Sequence, residues 1–141
     1  METLGPYRLI RMLARGGMGE VYLASLSRES GFEKRVTIKR ILPELAGEPS
    51  FVELFEREAR LAARLNHRNI VQVFDFGKER GSVWLAMEFV DGVDLCTVQE
   101  LLRQRRERFP PGVALEIGLA VARALDHAQR ATDGQGRRLG L

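Results

Sequence analysis

The apolar residues in the first part of the chain alternate with polar ones, as they do in strands with one buried face. One alternating segment ends at Leu13, the small-residue turn Ala14 to Gly19 follows, and a second alternating segment begins at Val21. The segment from Ser27 to Lys34 is polar, and the apolar pattern resumes after it. We therefore predict three antiparallel strands within residues 4–42, broken at the glycine turn and at the polar segment.

The spacing of the apolar positions changes after residues 43–49, a stretch with prolines and a glycine that predicts a loop. Ser50 and Glu53 form a capping box, which predicts a helix over residues 50–66. Its predicted apolar stripe has these members: Phe51, Leu54, Phe55, Ala62 and Leu65. The same period places Glu58 on this stripe, where a buried carboxylate is costly unless a cation meets it. The alternative is that Glu58 lies at the edge of the stripe and reaches solvent.

A hairpin is predicted next in the chain. The segments at 70–77 and 82–90 are rich in apolar residues, and the polar turn Lys78 to Gly81 joins them. With the earlier strands they would complete a five-stranded antiparallel sheet. The predicted fold class is therefore α+β, with this sheet and its one main helix in a first domain at residues 1–90.

Two helices are predicted after the sheet, in an incomplete second domain at residues 91–141. A connector near 90–94 leads to the first, and Asp94 is well placed as the N-cap of a helix at 95–107. The helix at 113–129 is apolar on nearly every side, which is typical of a helix buried among others. The chain offers it few partners, so we expect this helix to be the least stable part and a surface for self-association.

Composition narrows the class of protein. A chain of 141 residues with 45% apolar content can form one ordinary domain. The single cysteine, Cys96, excludes an internal disulfide, and no segment resembles a secretory signal or a membrane span, so we expect a cytoplasmic protein. The arginine-rich run at 103–108 contains an acid and no aromatic residue, which favours a solvated helix face over a nucleic-acid surface. His67 has no second ligand at metal-binding spacing and is expected to cap a helix.

The glycine turn at residues 14–19 can bring backbone N–H groups close to an anion, because no Cβ holds the ligand away. Phosphate is the obvious candidate. The phosphate loop of nucleotide hydrolases requires G-K-[ST] after the glycines, and the dinucleotide fingerprint requires a following helix, whereas a strand follows here. A glycine hairpin without a ligand is the alternative.

A second motif lies on the third predicted strand, where Val36-Thr37-Ile38-Lys39 ends in one of only three lysines. Aligned on Val21, the turn has Ala14, Gly16 and Gly19 where protein kinases have the glycines of G-x-G-x-x-G-x-V, and Lys39 matches their V-A-I-K lysine. The chain thus resembles the N-terminal part of a bacterial Hanks-type serine/threonine protein kinase. Ala14 and Thr37 depart from the pattern.

The resemblance implies an ATP site. The turn would cover the phosphates, Lys39 would hold the α- and β-phosphates, and Glu58 would orient Lys39 in an ion pair within about 4 Å. Met87 resembles the gatekeeper residue, and Asp94 the acid that contacts ribose. The implied nucleotide-binding residues are Leu13, Ala14, Arg15, Gly16, Gly17, Met18, Gly19, Val21, Thr37, Lys39, Glu58, Met87, Glu88, Val90 and Asp94.

The resemblance also implies a catalytic loop H-R-D-x-x-x-x-N and then D-F-G after the helix at 113–129, and we expect neither motif anywhere in this chain. We expect no catalytic residue in this chain, Mg²⁺ only with the missing C-terminal part, and a protein substrate only if the chain is completed. Three hypotheses stay open: a piece of a complete kinase, a stand-alone nucleotide-binding or regulatory pairing module resembling a pseudokinase, and a non-functional remnant.

Overall fold

The computed structural model describes residues 2–27, 31, 33–79, 81–132 and 136. The described residues fold as two units. The first comprises Met1–Asn66 with Val71–Phe89, and the second comprises His67–Ile70 with Val90–Leu141.

The first unit is built on a six-stranded sheet in which every pairing is antiparallel. The strands are β1 (Thr3–Leu4), β2 (Tyr7–Arg15), β3 (Gly19–Ser27), β4 (Glu33–Ile41), β5 (Val73–Glu79) and β6 (Ser82–Glu88), in the spatial order β1-β2-β3-β4-β6-β5. The α+β class with an antiparallel sheet is confirmed. The sheet has one strand more than predicted, because β1 is two residues long and too short to show an alternating pattern.

Two helices of the first unit follow β4. The helix α1 (Pro43–Ala46) occupies part of the segment predicted as a loop, and that prediction is wrong. The helix α2 (Pro49–Ala62) has Glu48 as its N-cap with no capping hydrogen bond, so the predicted Ser50 capping box does not form. In both helices a proline stands in the first turn, where its missing N–H is not needed.

The sheet buries apolar residues on both of its faces. We call one the Trp84 face, which has the buried residues Leu4, Tyr7, Leu9, Ala24, Val36, Ile38, Trp84 and Ala86. The other is the α2 face, where Phe55 and Ala59 of α2 pack with Ile41, Val73, Val83 and Leu85. Residues of one strand therefore serve different cores: in β4, Val36 and Ile38 are buried on the Trp84 face and Ile41 on the α2 face.

The buried stripe of α2 differs from the predicted one. Phe55 and Ala59 are buried, whereas Phe51 and Leu54 are 36% and 44% exposed, and Glu58 is exposed with them. The prediction that Glu58 lies on the buried face is therefore wrong. Helix α2 carries two neighbouring apolar stripes, and the one that contains small alanines packs on the sheet.

Trp84 packs directly over the backbone of β5. A Cβ atom built on Gly77 would lie 2.1 Å from the Trp84 ring. The ring is 4% exposed and makes an edge contact with Tyr7 at 5.4 Å between centroids. Because the indole has no room to shift, this position requires glycine.

The second unit contains the helices α3 (Leu95–Gln104) and α4 (Pro111–Arg130). The Asp94 N-cap of α3 is confirmed, since its carboxylate accepts a hydrogen bond from the Thr97 N–H at 2.8 Å. His67, also in this unit, accepts the Asn69 N–H through Nδ1 and lies 5.1 Å from the His127 ring. Apart from Thr132 and Gly136, the turn predicted at 132–138 and the three residues after it lie outside the described residues.

Helix α4 has no buried residue, although it is largely apolar. Leu115, Leu119, Val121 and Leu125 are 75%, 51%, 52% and 59% exposed. Within the described parts of the chain, no helix combines the length and apolarity needed to cross a lipid bilayer.

We predict that Gly77→Ala destabilises the sheet by about 1–3 kcal/mol through overpacking against Trp84. Urea unfolding followed by the fluorescence of Trp84, the single tryptophan, measures it. Gly47→Ala is the matched control, since a Cβ there meets nothing within 4 Å, and it should change stability by less than about 1 kcal/mol. Equal effects of the two substitutions would contradict the packing argument.

We also predict that backbone amides of residues 113–129 exchange with deuterium much faster than those of the sheet in dilute monomer. The exposed leucines and valines of α4 leave this helix with little burial to stabilise it. Hydrogen exchange read by mass spectrometry compares the two regions. Strong and equal protection in both would mean that α4 is stable in this chain alone.

Candidate functional site

The glycine turn between β2 and β3 exposes free backbone donors. Gly16 donates its N–H to the Gly19 carbonyl at 2.9 Å, which closes the turn, and the Leu42 N–H donates to the Met18 carbonyl at 3.3 Å. The N–H groups of Gly17 and Met18 find no acceptor within the described residues. A Cβ on Gly17 would meet nothing within 4 Å, so open space lies beside these donors.

The end of the turn lies very close to β4. A Cβ on Gly19 would lie 2.6 Å from the Arg40 carbonyl oxygen, a contact that backbone atoms cannot relieve. Ala14 and Arg15 belong to β2 and pair with Val21 and Glu20, so the open part of the turn is shorter than the predicted segment 14–19.

Strand register places several of the predicted site residues on the α2 face. Val21 pairs with Lys39, and Lys39 pairs with Leu85, which packs against α2. Thr37 pairs with Met87 on the same face, because directly opposed residues in an antiparallel sheet point to the same side. Thr37 is buried, and Met87 is half-buried beside the α2 core.

The predicted ion pair between Lys39 and Glu58 is not formed. No ion pair of the described residues includes Lys39 or Glu58, and Lys39 Nζ lies 5.5 Å from the centre of the Phe55 ring instead. The physical reason is that α2 packs on the sheet through the stripe of Phe55 and Ala59, which does not include Glu58. With about 100° between successive helical residues, the stripe that holds Glu58 lies about 80° around the axis from the buried stripe.

Another acidic residue of α2, Glu56, forms ion pairs in this orientation of the helix. Glu56 pairs with Arg60 at 2.8 Å and also with Lys78 of β5. A hydrogen bond from Lys78 is the main cause that lowers the pKa of the Glu56 carboxyl, and a hydrogen bond from Arg60 lowers it further. These contacts join the helix to the strand beside it while Glu58 stays in solvent.

The last three predicted nucleotide-binding residues, Glu88, Val90 and Asp94, do not all belong to one unit. In the first unit, Glu88 donates its N–H to the Gln72 carbonyl at 2.8 Å, so this group already has a partner in the sheet. Val90 and Asp94 belong to the second unit, and Val90 is 61% exposed. A hydrogen bond from the Thr97 N–H is the main cause that lowers the pKa of the Asp94 carboxyl, and a hydrogen bond from the Thr97 hydroxyl adds to it.

A polar network on the Trp84 face lies beneath the glycine turn, and sequence reasoning missed it. Arg40 Nη2 donates to Glu20 Oε2 at 2.8 Å and to the Tyr22 hydroxyl at 2.9 Å, and Tyr22 donates to Glu20 at 2.9 Å. Glu2 also pairs with Arg40, and Arg15 Nη1 lies 3.5 Å from Glu20 Oε1. The sequence signal was present but weak: opposite charges directly follow Gly19 and Lys39, and only the strand register makes them neighbours.

The letters D-F-G do occur in the chain, at Asp75-Phe76-Gly77, but they lie within β5. Asp75 accepts a hydrogen bond from the Tyr7 hydroxyl at 3.2 Å, Phe76 packs near Phe55, and Gly77 lies under Trp84. Each of these residues has a structural role in the sheet. This tripeptide precedes the connector and does not correspond to the metal-binding motif that kinases have after it.

Comparison with known proteins identifies the family. The model of the family described as protein tyrosine and serine/threonine kinase matches residues 7–132. The chain belongs to this kinase family. The predicted resemblance to bacterial kinases is confirmed, and kinases of this family are transferases that in general use ATP and Mg²⁺.

The kinase relatives include both serine/threonine and tyrosine kinases. The chain is 43% identical over 141 residues to the tyrosine-protein kinase MasK of Myxococcus xanthus, and the alignment covers 100% of this chain and 22% of MasK. It is 38% identical over 128 residues to the serine/threonine-protein kinase PknI of Mycobacterium tuberculosis, and this alignment covers 91% of the chain and 21% of PknI. The crystal structure of the PknI kinase domain matches with a TM-score of 0.71 and 38% identity, over 92% of this chain and 49% of that domain. The chain thus spans about a fifth of these curated kinases and about half of a solved kinase domain.

We predict that Glu20→Gln destabilises the sheet by about 3 kcal/mol at neutral pH, because it leaves the half-buried Arg40 without its anion. The Arg40 hydrogen bond, then that of Tyr22, lowers the pKa of the Glu20 carboxyl below its usual 4.5 in the folded state. Ionised Glu20 therefore stabilises the fold above pH 4.5, and this stabilisation is lost as the pH falls through the lower folded-state pKa.

Urea unfolding of the wild type and of Glu20→Gln, measured from pH 7 to pH 3, tests this prediction. The difference in unfolding free energy should shrink below pH 4.5. Glu33→Gln is the control, since its ion pair with Arg8 is exposed and should contribute less than about 1 kcal/mol. A difference that grows in acid would contradict the prediction.

Proposed function

We propose that this chain is the ATP-binding part of a protein kinase, and that it binds ATP without transferring the phosphoryl group by itself. One observation carries the proposal: the pairing of Val21 with Lys39 puts the strand that leaves the glycine turn beside the lysine, on the α2 face. Free N–H groups at the turn and an ammonium on the neighbouring strand are the groups that an ATP phosphate chain requires.

The turn fits a phosphate on its own geometry. The N–H groups of Gly17 and Met18 have no acceptor within the described residues, and the space beside Gly17 is open. An unpaired donor next to open space is suited to an anion, and the tight fit of Gly19 against Arg40 holds the turn in this shape.

The remaining nucleotide contacts are proposed from the family match together with strand position. Val21 and Thr37 share the α2 face with Met87 and are suited to an apolar wall for adenine, with Leu13 at the end of β2. Thr37 is buried and is larger than the alanine of the kinase pattern, so it leaves less space beside this wall for adenine. The roles of Glu88, Val90 and Asp94 toward adenine and ribose rest on the family match alone.

We propose that Glu58 reaches Lys39 only in a second position of α2. The observed position buries Phe55 and Ala59 and leaves Glu58 in solvent, so the helix would have to rotate by about 80° to exchange the two stripes. Such a rotation must also break the pairing of Glu56 with Lys78. This arrangement corresponds to an inactive state in which Lys39 lacks its carboxylate partner.

The chain supplies no general base for an acceptor hydroxyl. Phosphoryl transfer needs the catalytic-loop Asp and the metal ligands that follow it, and neither motif follows α4 in this sequence. Mg²⁺ would therefore be held by residues outside the 141. We propose that a completed kinase acts in the cytoplasm on a protein hydroxyl of serine, threonine or tyrosine. The names of the relatives, a tyrosine-protein kinase and a serine/threonine-protein kinase, support this proposal.

We predict that the chain binds ATP and that Lys39→Met lowers the affinity by about tenfold or more, through the loss of a charge-assisted contact to phosphate. Isothermal titration calorimetry with ATP measures this. Lys34→Met is the matched control, because Lys34 lies on the same strand but on the Trp84 face and contacts Phe74. Equal losses in the two variants, or no binding to the wild type, would overturn the proposed function.

We predict no phosphoryl transfer by the 141-residue chain. Incubation with labelled ATP, Mg²⁺ and a generic acceptor protein should leave the acceptor unlabelled, because the catalytic-loop Asp that takes the acceptor proton in kinases does not follow α4 in this sequence. Labelling that disappears with Lys39→Met would show that the chain catalyses transfer and that the second half of the proposal is wrong.

A further inference from the structure

We propose that Glu20 and Arg40 are positioning residues for phosphate binding: their ion pair, on the opposite side of the sheet from Lys39, holds the glycine turn against the strand that carries this lysine. The inference rests on the nucleotide-binding function proposed above and deepens it. It assigns to Glu20 and Arg40 a task that the kinase motifs do not include.

The pair is well buried and closely made. The Glu20 and Arg40 side chains are 8% and 13% exposed, and their atoms meet at 2.8 Å. The Tyr22 hydroxyl bridges them, and its ring lies 5.1 Å from the Arg40 guanidinium. A pair of this burial and geometry is fixed in place, whereas an exposed pair would move freely.

The pair joins the turn to the lysine strand at neighbouring positions. Glu20 directly follows Gly19, the last residue of the turn, and Arg40 directly follows Lys39. Between them the Gly19 backbone touches the Arg40 carbonyl, where a Cβ would lie 2.6 Å away. The Glu20 and Arg40 side chains, on the Trp84 face, thus hold the backbone of the turn against β4. The Lys39 ammonium is carried on the opposite face of the same strand.

Glu20 also contacts the residue at the start of the turn. Arg15, the last residue of β2, lies 3.5 Å from Oε1, while Oε2 accepts from Arg40. One carboxylate therefore connects both ends of the turn to β4. Loss of this carboxylate would allow the turn to lift from β4 even if the sheet remained folded.

Arginine has a specific geometric role at residue 40. Its guanidinium contacts Glu2, Glu20 and Tyr22 at once, which the single ammonium of lysine cannot reproduce with the same fixed directions. Its Nε is buried without a partner within the described residues, so burial is tolerated for the sake of the Nη contacts. Arg40→Lys should consequently keep the charge and lose part of the positioning.

The consequence for binding follows from preorganisation. The free donors of Gly17 and Met18 bind phosphate well only if the turn already holds them in position, because ordering a mobile turn lowers affinity. Adenosine makes no contact with phosphate donors. The pair should therefore affect ligands that carry phosphates and leave adenosine affinity unchanged.

The test measures ATP, ADP and adenosine affinities by calorimetry or NMR titration for the wild type, Glu20→Gln, Arg40→Met and Arg40→Lys. Glu33→Gln is the control, since it neutralises a paired carboxylate at the far end of the same two strands. Hydrogen exchange of the Gly16 and Leu42 amides, whose hydrogen bonds close the turn and attach it to the end of β4, is read without ligand in parallel, relative to amides of β4.

We expect Glu20→Gln and Arg40→Met to weaken ATP and ADP about tenfold, with adenosine within about twofold of the wild type, and Arg40→Lys to lie between. Exchange at the Gly16 and Leu42 amides should rise in the same order, and by more than the rise that the lower stability of the sheet causes across β4. If ATP and adenosine affinities fall together and the Gly16 and Leu42 amides respond no more than those of β4, the pair has only a structural role and the inference is overturned.

Unchanged ATP affinity in both variants would also overturn the inference, while the proposed function would stand. If the wild type fails to bind ATP, the proposed function fails by itself. The exchange measurement then decides the inference separately: a rise at the Gly16 and Leu42 amides beyond that of β4 supports the positioning role, and no such excess refutes it.

Discussion

The register between β3 and β4 is the constraint on which the rest of the structure depends. It sets Val21 opposite Lys39 on the α2 face and Glu20 opposite Arg40 on the Trp84 face. A slip of β4 by one residue would turn Lys39 to the apolar Trp84 face and Arg40 to the α2 face, away from Glu20. The tight contact of Gly19 with the Arg40 carbonyl and the buried charge pair both oppose such a slip.

Helix α2 packs on this sheet through small side chains. Ala59 and the half-buried Ala62 allow the helix to approach β5 and β6, and Phe55 fills the space in front of Lys39. This packing satisfies the apolar core of the first unit without any help from Glu58. The unpaired lysine is thus a direct result of which stripe of the helix contains the small side chains.

Much of the fold and of the turn could be predicted from sequence because both depend on local patterns. Alternation indicated the strands, the glycines indicated the turn, and Lys39 was unusual in an arginine-rich chain. The orientation of α2 could not be predicted, since stripes through Leu54 and through Ala59 are both apolar and the sheet chooses between them. The Glu20 and Arg40 pair was also beyond reach, because it depends on a cross-strand register that periodicity does not specify.

The most direct test of the account is which face of the sheet meets the nucleotide. Side-chain methyl signals of Val21 and Leu85 report the α2 face, and those of Val36 and Ile38 report the Trp84 face. Methyl NMR spectra recorded during an ATP titration should show saturable shifts of the first pair and little change in the second. Shifts confined to Val36 and Ile38, or absent from both pairs, would contradict the account.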